Sequence, residues 1–193
     1  MRGTRDDTQK YMSHSGTALI NPEPVFEKIT LRAGMRVADL GCGRTGHFVF
    51  PAAKVVGERG VVYAVEIVKN ILESIKSRVR SEGYGNVQPV WADIERFAKV
   101  PIPENSLDSC FMVNVLFMLK DKLTALKEAA RLLKSGGTIV VVDWARRLGP
   151  LGPLPQQLVS PESIERLAEG LGLKMLSQVT PGEYHYGLIF QKM

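Results

Sequence analysis

Cysteine, histidine and long apolar runs are all scarce in this chain of 193 residues, and each shortage excludes a class of protein. The two cysteines, Cys42 and Cys110, are too few for a disulfide framework, and both are expected to be reduced. The three histidines are scattered, with no Cys-x-x-Cys or His-x-x-x-His pair among them. The sequence therefore predicts no metal site.

No stretch is apolar enough to predict a membrane segment. The longest apolar runs, residues 60–68 and 110–119, fall far short of the roughly 20 residues that cross a bilayer. The polar residues 1–10 are not followed by the apolar core of a secretory signal. We therefore expect a cytoplasmic protein with no membrane partner.

Basic residues exceed acidic ones, giving a formal net charge of +5. In residues 69–80 and 120–134 they alternate with glutamates, which is typical of a solvated helix face rather than a nucleic-acid stripe. An RNA partner is left open but is not favoured, and the oligomeric state cannot be read from the sequence.

From residue 35 onward, short β-branched runs alternate with segments of helical periodicity, the pattern of βαβ units around a parallel sheet. Two further strand-like runs near the C-terminus are separated only by residues 180–183, too few for a crossover helix, so the last strand is expected to be antiparallel. Residues 22–193 are expected to form one α/β domain, and the polar residues 1–21 a mobile lid. The predicted strands are residues 35–40, 60–67, 87–92, 107–115, 138–144, 174–179 and 184–191.

A glycine-rich turn follows the first predicted strand. Gly41, Gly43 and Gly46 have the Gly-x-Gly-x-x-Gly spacing that lets a backbone turn tightly and approach a nucleotide. Glu66 ends the second predicted strand, where its two oxygens could accept from both hydroxyls of a ribose. Together these features predict an adenosine-type ligand.

A nicotinamide or flavin dehydrogenase would share these glycines and the acid. Asp39 argues against that alternative, because its carboxylate would repel a pyrophosphate but could hold a cationic ligand such as a sulfonium with an amino group. Asp93, after the third predicted strand, could accept from an adenine amino group, with Ile94 against the ring.

Five segments resemble successive motifs of class I S-adenosylmethionine-dependent methyltransferases: residues 37–48, 62–66, 91–93, 107–117 and 131–143. The run Leu132-Leu-Lys-Ser-Gly-Gly137 is similar to the small-molecule branch that includes the ubiquinone and menaquinone biosynthesis methyltransferases. The resemblance implies a Rossmann-like, seven-stranded, mostly parallel sheet with helices on both faces and an antiparallel last strand. It also implies S-adenosylmethionine as cofactor.

The resemblance assigns cofactor contacts position by position. The glycine turn and Asp39 would surround the methionine moiety, Glu66 would bind the ribose, and Asp93 the adenine amino group. Asn114, ending the fourth strand, would lie near the methionine end and the acceptor. The cofactor-binding residues expected are Asp39, Gly41, Cys42, Gly43, Gly46, Glu66, Ile67, Asp93, Ile94 and Asn114.

Two positions depart from the family pattern. Arg44 stands where such turns usually carry a small or neutral residue, and it could bind the cofactor carboxylate or an anionic substrate. Pro51 lies in the helix after the turn, so that helix is expected to be short or kinked.

Strand direction predicts the acceptor site. An antiparallel last strand would begin at the edge where the fourth and fifth strands end, so Tyr184, His185 and Tyr186 are expected beside Arg146 and Arg147. His185 is the candidate general base, with Asn114 as a second catalytic residue, and the tyrosines and arginines are candidate substrate contacts.

The acceptor class is predicted by elimination. The fourth strand is followed by neither an Asn-Pro-Pro-Tyr run nor a Pro-Cys pair, which disfavours DNA amino groups and cytosine C5 as acceptors. A small-molecule acceptor is predicted; the alternatives are an RNA methyltransferase and a non-catalytic module that only binds the cofactor.

Overall fold

The computed structural model describes residues 19–150 and 152–193, so the first part of the predicted N-terminal lid lies outside the described residues. One seven-stranded sheet has the strand order β3-β2-β1-β4-β5-β7-β6. The elements are α1 (Glu23–Lys28), β1 (Arg36–Leu40), α2 (Val49–Val56), β2 (Val61–Glu66), α3 (Lys69–Glu82), β3 (Val87–Trp91), β4 (Leu107–Val113), α4 (Lys122–Leu132), β5 (Leu133–Trp144), α5 (Pro161–Gly170), β6 (Leu173–Gly182) and β7 (His185–Lys192), with 3-10 turns at Leu116–Met118 and Pro155–Gln157.

The strands are parallel except for β7, which pairs antiparallel with both β5 and β6. The predicted fold class is therefore confirmed, including the antiparallel last strand. Since β6 and β7 are joined by a two-residue turn, β7 has to run opposite to its neighbours.

Alternate residues of the central strands enter two apolar cores. Val37, Val62 and Val140 pack on the face covered by α1 and α2, and their neighbours Ala38, Tyr63 and Ile139 pack on the face covered by α4 and α5. Burial on both faces explains why these strands read as continuous apolar runs in the sequence. Helices on both faces leave the strand ends free to carry a site.

Two helix predictions are confirmed by the local geometry. The run Ser160-Pro-Glu162 predicts a helix start, and in the structure the Ser160 side chain accepts from the Ser163 backbone N–H and Pro161 opens α5. Pro51 falls in the first turn of α2, where a missing N–H costs little, and the helix is only eight residues long.

The boundary between α4 and β5 differs from the sequence prediction. The Gly136-Gly137 pair was expected to end the helix before a strand at residue 138, but β5 already begins at Leu133. Leu133 is buried and pairs with Leu107 of β4, and a register irregularity between Leu107 and Ser109 accommodates the extra residues. Burial of Leu133 in the core therefore outweighs the local turn preference of the two glycines.

Within the described ranges, no helix is long and apolar enough to span a bilayer. The same residues include no group of three or more His, Cys, Asp or Glu side chains placed to hold a metal ion.

Candidate cofactor and acceptor site

A cavity of about 560 Å³ opens where β1, β2, β3 and β4 end. This is the edge at which open parallel sheets bind ligands, next to the point where the strand order reverses between β1 and β4. Its lining residues are Leu19, Ile20, Asp39, Gly41, Cys42, Gly43, Thr45, His47, Phe48, Val65, Glu66, Ile67, Val68, Ile71, Ala92, Asp93, Ile94, Glu95, Val113, Asn114, Val115, Met118 and Leu119.

The turn after β1 requires glycine at its first position. Gly41 has φ +86°, and a Cβ there would lie 2.5 Å from Cγ2 of Val115. Its N–H, like that of Cys42, donates to the Val65 carbonyl of β2, which fixes the turn against the neighbouring strand. At Gly43 (φ +64°) a Cβ would meet nothing within 4 Å, so this part of the backbone faces open space. The turn thus presents bare backbone to the cavity.

Glu66 is buried at the end of β2 and is held by three backbone donors. One oxygen accepts from Gly43 N–H at 3.2 Å, and the other accepts from Ile67 N–H and Val68 N–H, both at 2.9 Å. These bonds tie the glycine turn to the β2 end and set the carboxylate in the cavity wall. The oxygen that accepts from Gly43 keeps lone-pair capacity for a further donor.

Asp39 and Asn114 each present a buried oxygen with no hydrogen-bond partner among the described residues. Burial, reinforced by the nearby negative charge of Glu66, raises the pKa of Asp39 to about 8. Asn114 has φ +51°, an uncommon conformation for a residue with a side chain, at the end of β4. Because both residues line one cavity, they form an acceptor pair suited to a cationic N–H donor.

Residues just after β3 also line the cavity. Asp93 and Ile94 line it, and one oxygen of Asp93 accepts from the Glu95 N–H at 2.9 Å, so this carboxylate closes a local turn. Ile67 lines the same region and is half exposed, which leaves apolar surface available to a flat ring. Nine of the ten residues expected to bind cofactor line the cavity. The exception is Gly46, where an added Cβ would meet the side chains of Phe50 and Ile75.

The predicted acceptor residues lie elsewhere. His185 pairs with Trp144 as the strand directions require, with ring centroids 4.3 Å apart, but it is 3% exposed and outside the cavity lining. Burial lowers its pKa to about 4; the Leu19 backbone acts in the opposite direction and His47 lowers it further. The buried imidazole of His185 is therefore not accessible to a methyl acceptor bound in the cavity.

The four candidate substrate contacts are also outside the cavity lining. Arg146 forms an exposed ion pair with Glu183 at 2.6 Å and lies over the Tyr184 ring. The hydroxyl of Tyr186 donates to the Val159 carbonyl at 2.9 Å, while Nε of Arg147 is buried without a partner in the described part of the chain. Arg44 likewise lies outside the lining, with its guanidinium near Ser74.

Sequence reasoning gave no role to two residues near the site. Asp143, buried at the end of β5, accepts from Phe117 N–H and Trp144 N–H and so holds the chain that follows β4. His47 lines the cavity, with Nε2 2.7 Å from the Ile20 carbonyl. The only sequence feature that could have indicated a role for His47 is its position directly after the glycine turn. A histidine at that position is equally typical of an exposed helix face.

The family profile described as "Methyltransferase domain" matches residues 31–179, most of the chain. This chain belongs to the methyltransferase domain family. The predicted family is thereby confirmed, together with S-adenosylmethionine as its cofactor.

Individual relatives agree with the family. The chain is 31% identical over 124 residues to the demethylmenaquinone methyltransferase of Geobacillus kaustophilus, covering 64% of this chain and 51% of that protein. It is 31% identical over 139 residues to the aklanonic acid methyltransferase DauC of Streptomyces sp., covering 70% and 61%. The chain thus spans about half to three fifths of the length of these curated relatives.

A solved structure matches over the full length. The crystal structure of a SAM-dependent methyltransferase from Aquifex aeolicus superimposes with a TM-score of 0.84 at 26% identity, covering 100% of both chains. The complete α/β sheet, including β6 and β7, is therefore shared with that protein.

Proposed function

We propose that this chain transfers a methyl group from S-adenosylmethionine to a small-molecule acceptor. The observation that carries the proposal is a pair of buried oxygens, on Asp39 and Asn114, that border one cavity and have no partner in the part of the chain that the structure describes. A buried acceptor without a donor costs about 1–3 kcal/mol, so its retention favours a ligand that supplies the donor.

The residues present fit this cofactor at each part of the cavity. Asp39 and Asn114 would accept from its amino group, and Glu66 would accept from the ribose hydroxyls. Asp93 would accept from the adenine amino group, with Ile67 and Ile94 against the ring. When bound, the cofactor supplies a methyl group on a positively charged sulfur, and the chain aligns that group with the acceptor and excludes water.

A small-molecule acceptor is supported by the size and lining of the cavity. Its volume of about 560 Å³ is within the usual range for small-ligand pockets, and apolar residues predominate in its wall. The two relatives described above are named for demethylmenaquinone and aklanonic acid, both small molecules. We extend that class of acceptor to this chain, without choosing between the two.

The electrostatic part of the proposal predicts a pH-dependent affinity. The raised pKa of Asp39 means that the free protein holds a proton there below about pH 8. A cationic ligand requires the ionised carboxylate, so binding of S-adenosylhomocysteine should release that proton and strengthen by up to about tenfold per pH unit between pH 6 and 7.5.

Titration calorimetry with S-adenosylhomocysteine would test this. Asp39→Asn should lower the affinity by about 1.5–3 kcal/mol and abolish the pH dependence. Glu128→Gln is the matched control, because Glu128 is a buried carboxylate that lies outside the cavity lining. Equal affinity for wild type and Asp39→Asn at every pH would contradict the assigned role.

The acceptor class is tested with cofactor labelled on its methyl group. After incubation with the protein, a cell extract is separated into small molecules, RNA and protein, and label is expected in the first fraction. Label in RNA would overturn the acceptor class. Cofactor binding without label in any fraction would favour the non-catalytic module.

A further inference from the structure

One part of the cavity lining combines a titratable side chain with apolar neighbours. Leu19, Ile20 and Phe48 form this wall together with His47. The His47 ring lies edge-on to Phe48, with centroids 5.8 Å apart, so it is packed in one orientation. We define this group as the His47 wall.

The hydrogen bond of His47 fixes its tautomer. A backbone carbonyl can only accept, so the contact of 2.7 Å between Nε2 and Ile20 O requires the proton to be on Nε2. Nδ1 is then left with its lone pair. Within the described ranges, Nε2 makes the only hydrogen bond of this ring.

The two histidines near the site are in opposite situations. His185 is 3% exposed and outside the cavity lining, and burial lowers its pKa to about 4. His47 is partly exposed and belongs to the lining. The carboxylate of Glu66 lines the same cavity, as does Asp39, which becomes negative when it loses its proton. The neighbouring His185 is neutral near pH 7, because burial lowers its pKa to about 4. A positive charge forming on His47 therefore faces carboxylates rather than cations.

We propose that His47 is the proton acceptor for the methylated substrate, and that this substrate is an apolar molecule with one weakly acidic O–H, such as a phenol or enol. The proposal rests on the proposed function. During transfer the sulfur–methyl bond breaks with its electron pair remaining on sulfur, and a bond forms between the methyl carbon and the acceptor. The proton lost by the acceptor moves to Nδ1 of His47 and is later released to water.

This assignment explains the composition of the wall. An apolar lining favours the neutral acceptor on entry, and it also makes an unpaired anion costly unless a cation forms beside it. The imidazolium of His47 would supply that cation, and the Ile20 carbonyl would continue to accept from Nε2. Proton transfer and charge pairing are thus performed by the same side chain.

The test uses 2-naphthol as the probe, because its ionised form has a distinct absorption band. With S-adenosylhomocysteine present, wild type should bind 2-naphthol and produce the naphtholate band below the pH at which free 2-naphthol ionises. His47→Gln should lose most of that band, by at least about tenfold, while its affinity for S-adenosylhomocysteine stays within about twofold.

His185→Gln is the matched control, since it changes the other histidine of this region, and it should keep the band. Loss of the band in His185→Gln with retention in His47→Gln would overturn the proposal, as would equal bands in all three proteins or no band in wild type. Failure of wild type to bind S-adenosylhomocysteine would instead contradict the proposed function, so the two failures are distinguishable.

Discussion

The polar groups on two sides of the same sheet edge lie in different environments. On the glycine-turn side (residues 39–46 and 66–68), buried Asp39 and Glu66 face an open cavity, and an Asp39 oxygen lacks a partner among the described residues. On the β5–β7 side (residues 144–147 and 183–186), Arg146 is paired with Glu183 in solvent and Tyr186 donates to a backbone carbonyl. Nε of Arg147 and both ring nitrogens of His185 are buried there without a partner among the described residues, but outside the cavity lining.

The difference indicates where a ligand could satisfy a buried polar group that otherwise lowers the stability of the protein. Buried polar groups without partners destabilise a protein unless a ligand satisfies them, whereas exposed ion pairs contribute little in either direction. What separates the two sides is access to the cavity: the unpartnered oxygen of Asp39 borders it, whereas the unpartnered nitrogens of Arg147 and His185 lie outside its lining. The glycine-turn side therefore has the properties of a ligand site, and the β5–β7 side has those of a packed corner outside that site. Four substitutions test this comparison.

The largest effect is expected for a methyl group added to each side. Gly41→Ala should lower the free energy of unfolding by roughly 2–4 kcal/mol, because Val115 occupies the position of the new Cβ and φ is +86°. Gly149→Ala, in the loop that continues from the β5–β7 side, is the control: φ is +54° but nothing lies within 4 Å, so about 1 kcal/mol is expected. Urea unfolding measures both, and equal losses would show that the close approach at Gly41 is unimportant.

Next in size is the loss of the carboxylate that organises the glycine-turn side. Glu66→Ala removes the acceptor for three backbone N–H groups and the proposed ribose contact. Affinity for S-adenosylhomocysteine should fall by roughly 1.5–3 kcal/mol, about ten- to more than a hundredfold. Calorimetry at one pH suffices, and unchanged affinity would remove Glu66 from the cofactor site.

A pH-dependent effect is expected on the β5–β7 side. Since the pKa of His185 lies at about 4 in the fold and near 6.5 when unfolded, protonation favours the unfolded state. Its contribution to stability should be lost as pH falls from 6.5 to 4, amounting to roughly 1–3 kcal/mol. His185→Leu should show a shallower decline in urea unfolding over this range, and parallel curves would contradict the buried neutral imidazole.

The smallest effect is expected for the exposed pair. Arg146→Ala should change the free energy of unfolding by less than about 0.5 kcal/mol, because both partners of the Arg146–Glu183 bridge are more than half exposed. Repeating urea unfolding at high salt should leave the small difference unchanged or reduce it. A loss above about 1 kcal/mol would mean that this corner depends on the ion pair.

The sequence by itself determined the fold class and most of the cavity wall. Asp39 and Glu66 lie at the carboxyl ends of β1 and β2, and Asp93 follows β3. Since the carboxyl ends of parallel strands meet at one edge of a sheet, the convergence of these residues on the cavity follows from strand direction. The same argument predicted that His185 would lie beside the end of the fifth strand, where the structure pairs it with Trp144. In each case the information was local, because pattern and direction fix which residues share an edge.

Only the tertiary structure decided which side chains of that edge reach the cavity. His185 and Trp144 pack together and are buried. His47, which directly follows the glycine turn, lines the cavity, and its ring is held by a hydrogen bond to the Ile20 carbonyl. The start of β5 at Leu133 was set in the same way by a buried position opposite Leu107. Burial depends on contacts between segments distant in sequence, and periodicity within one segment carries no information about them.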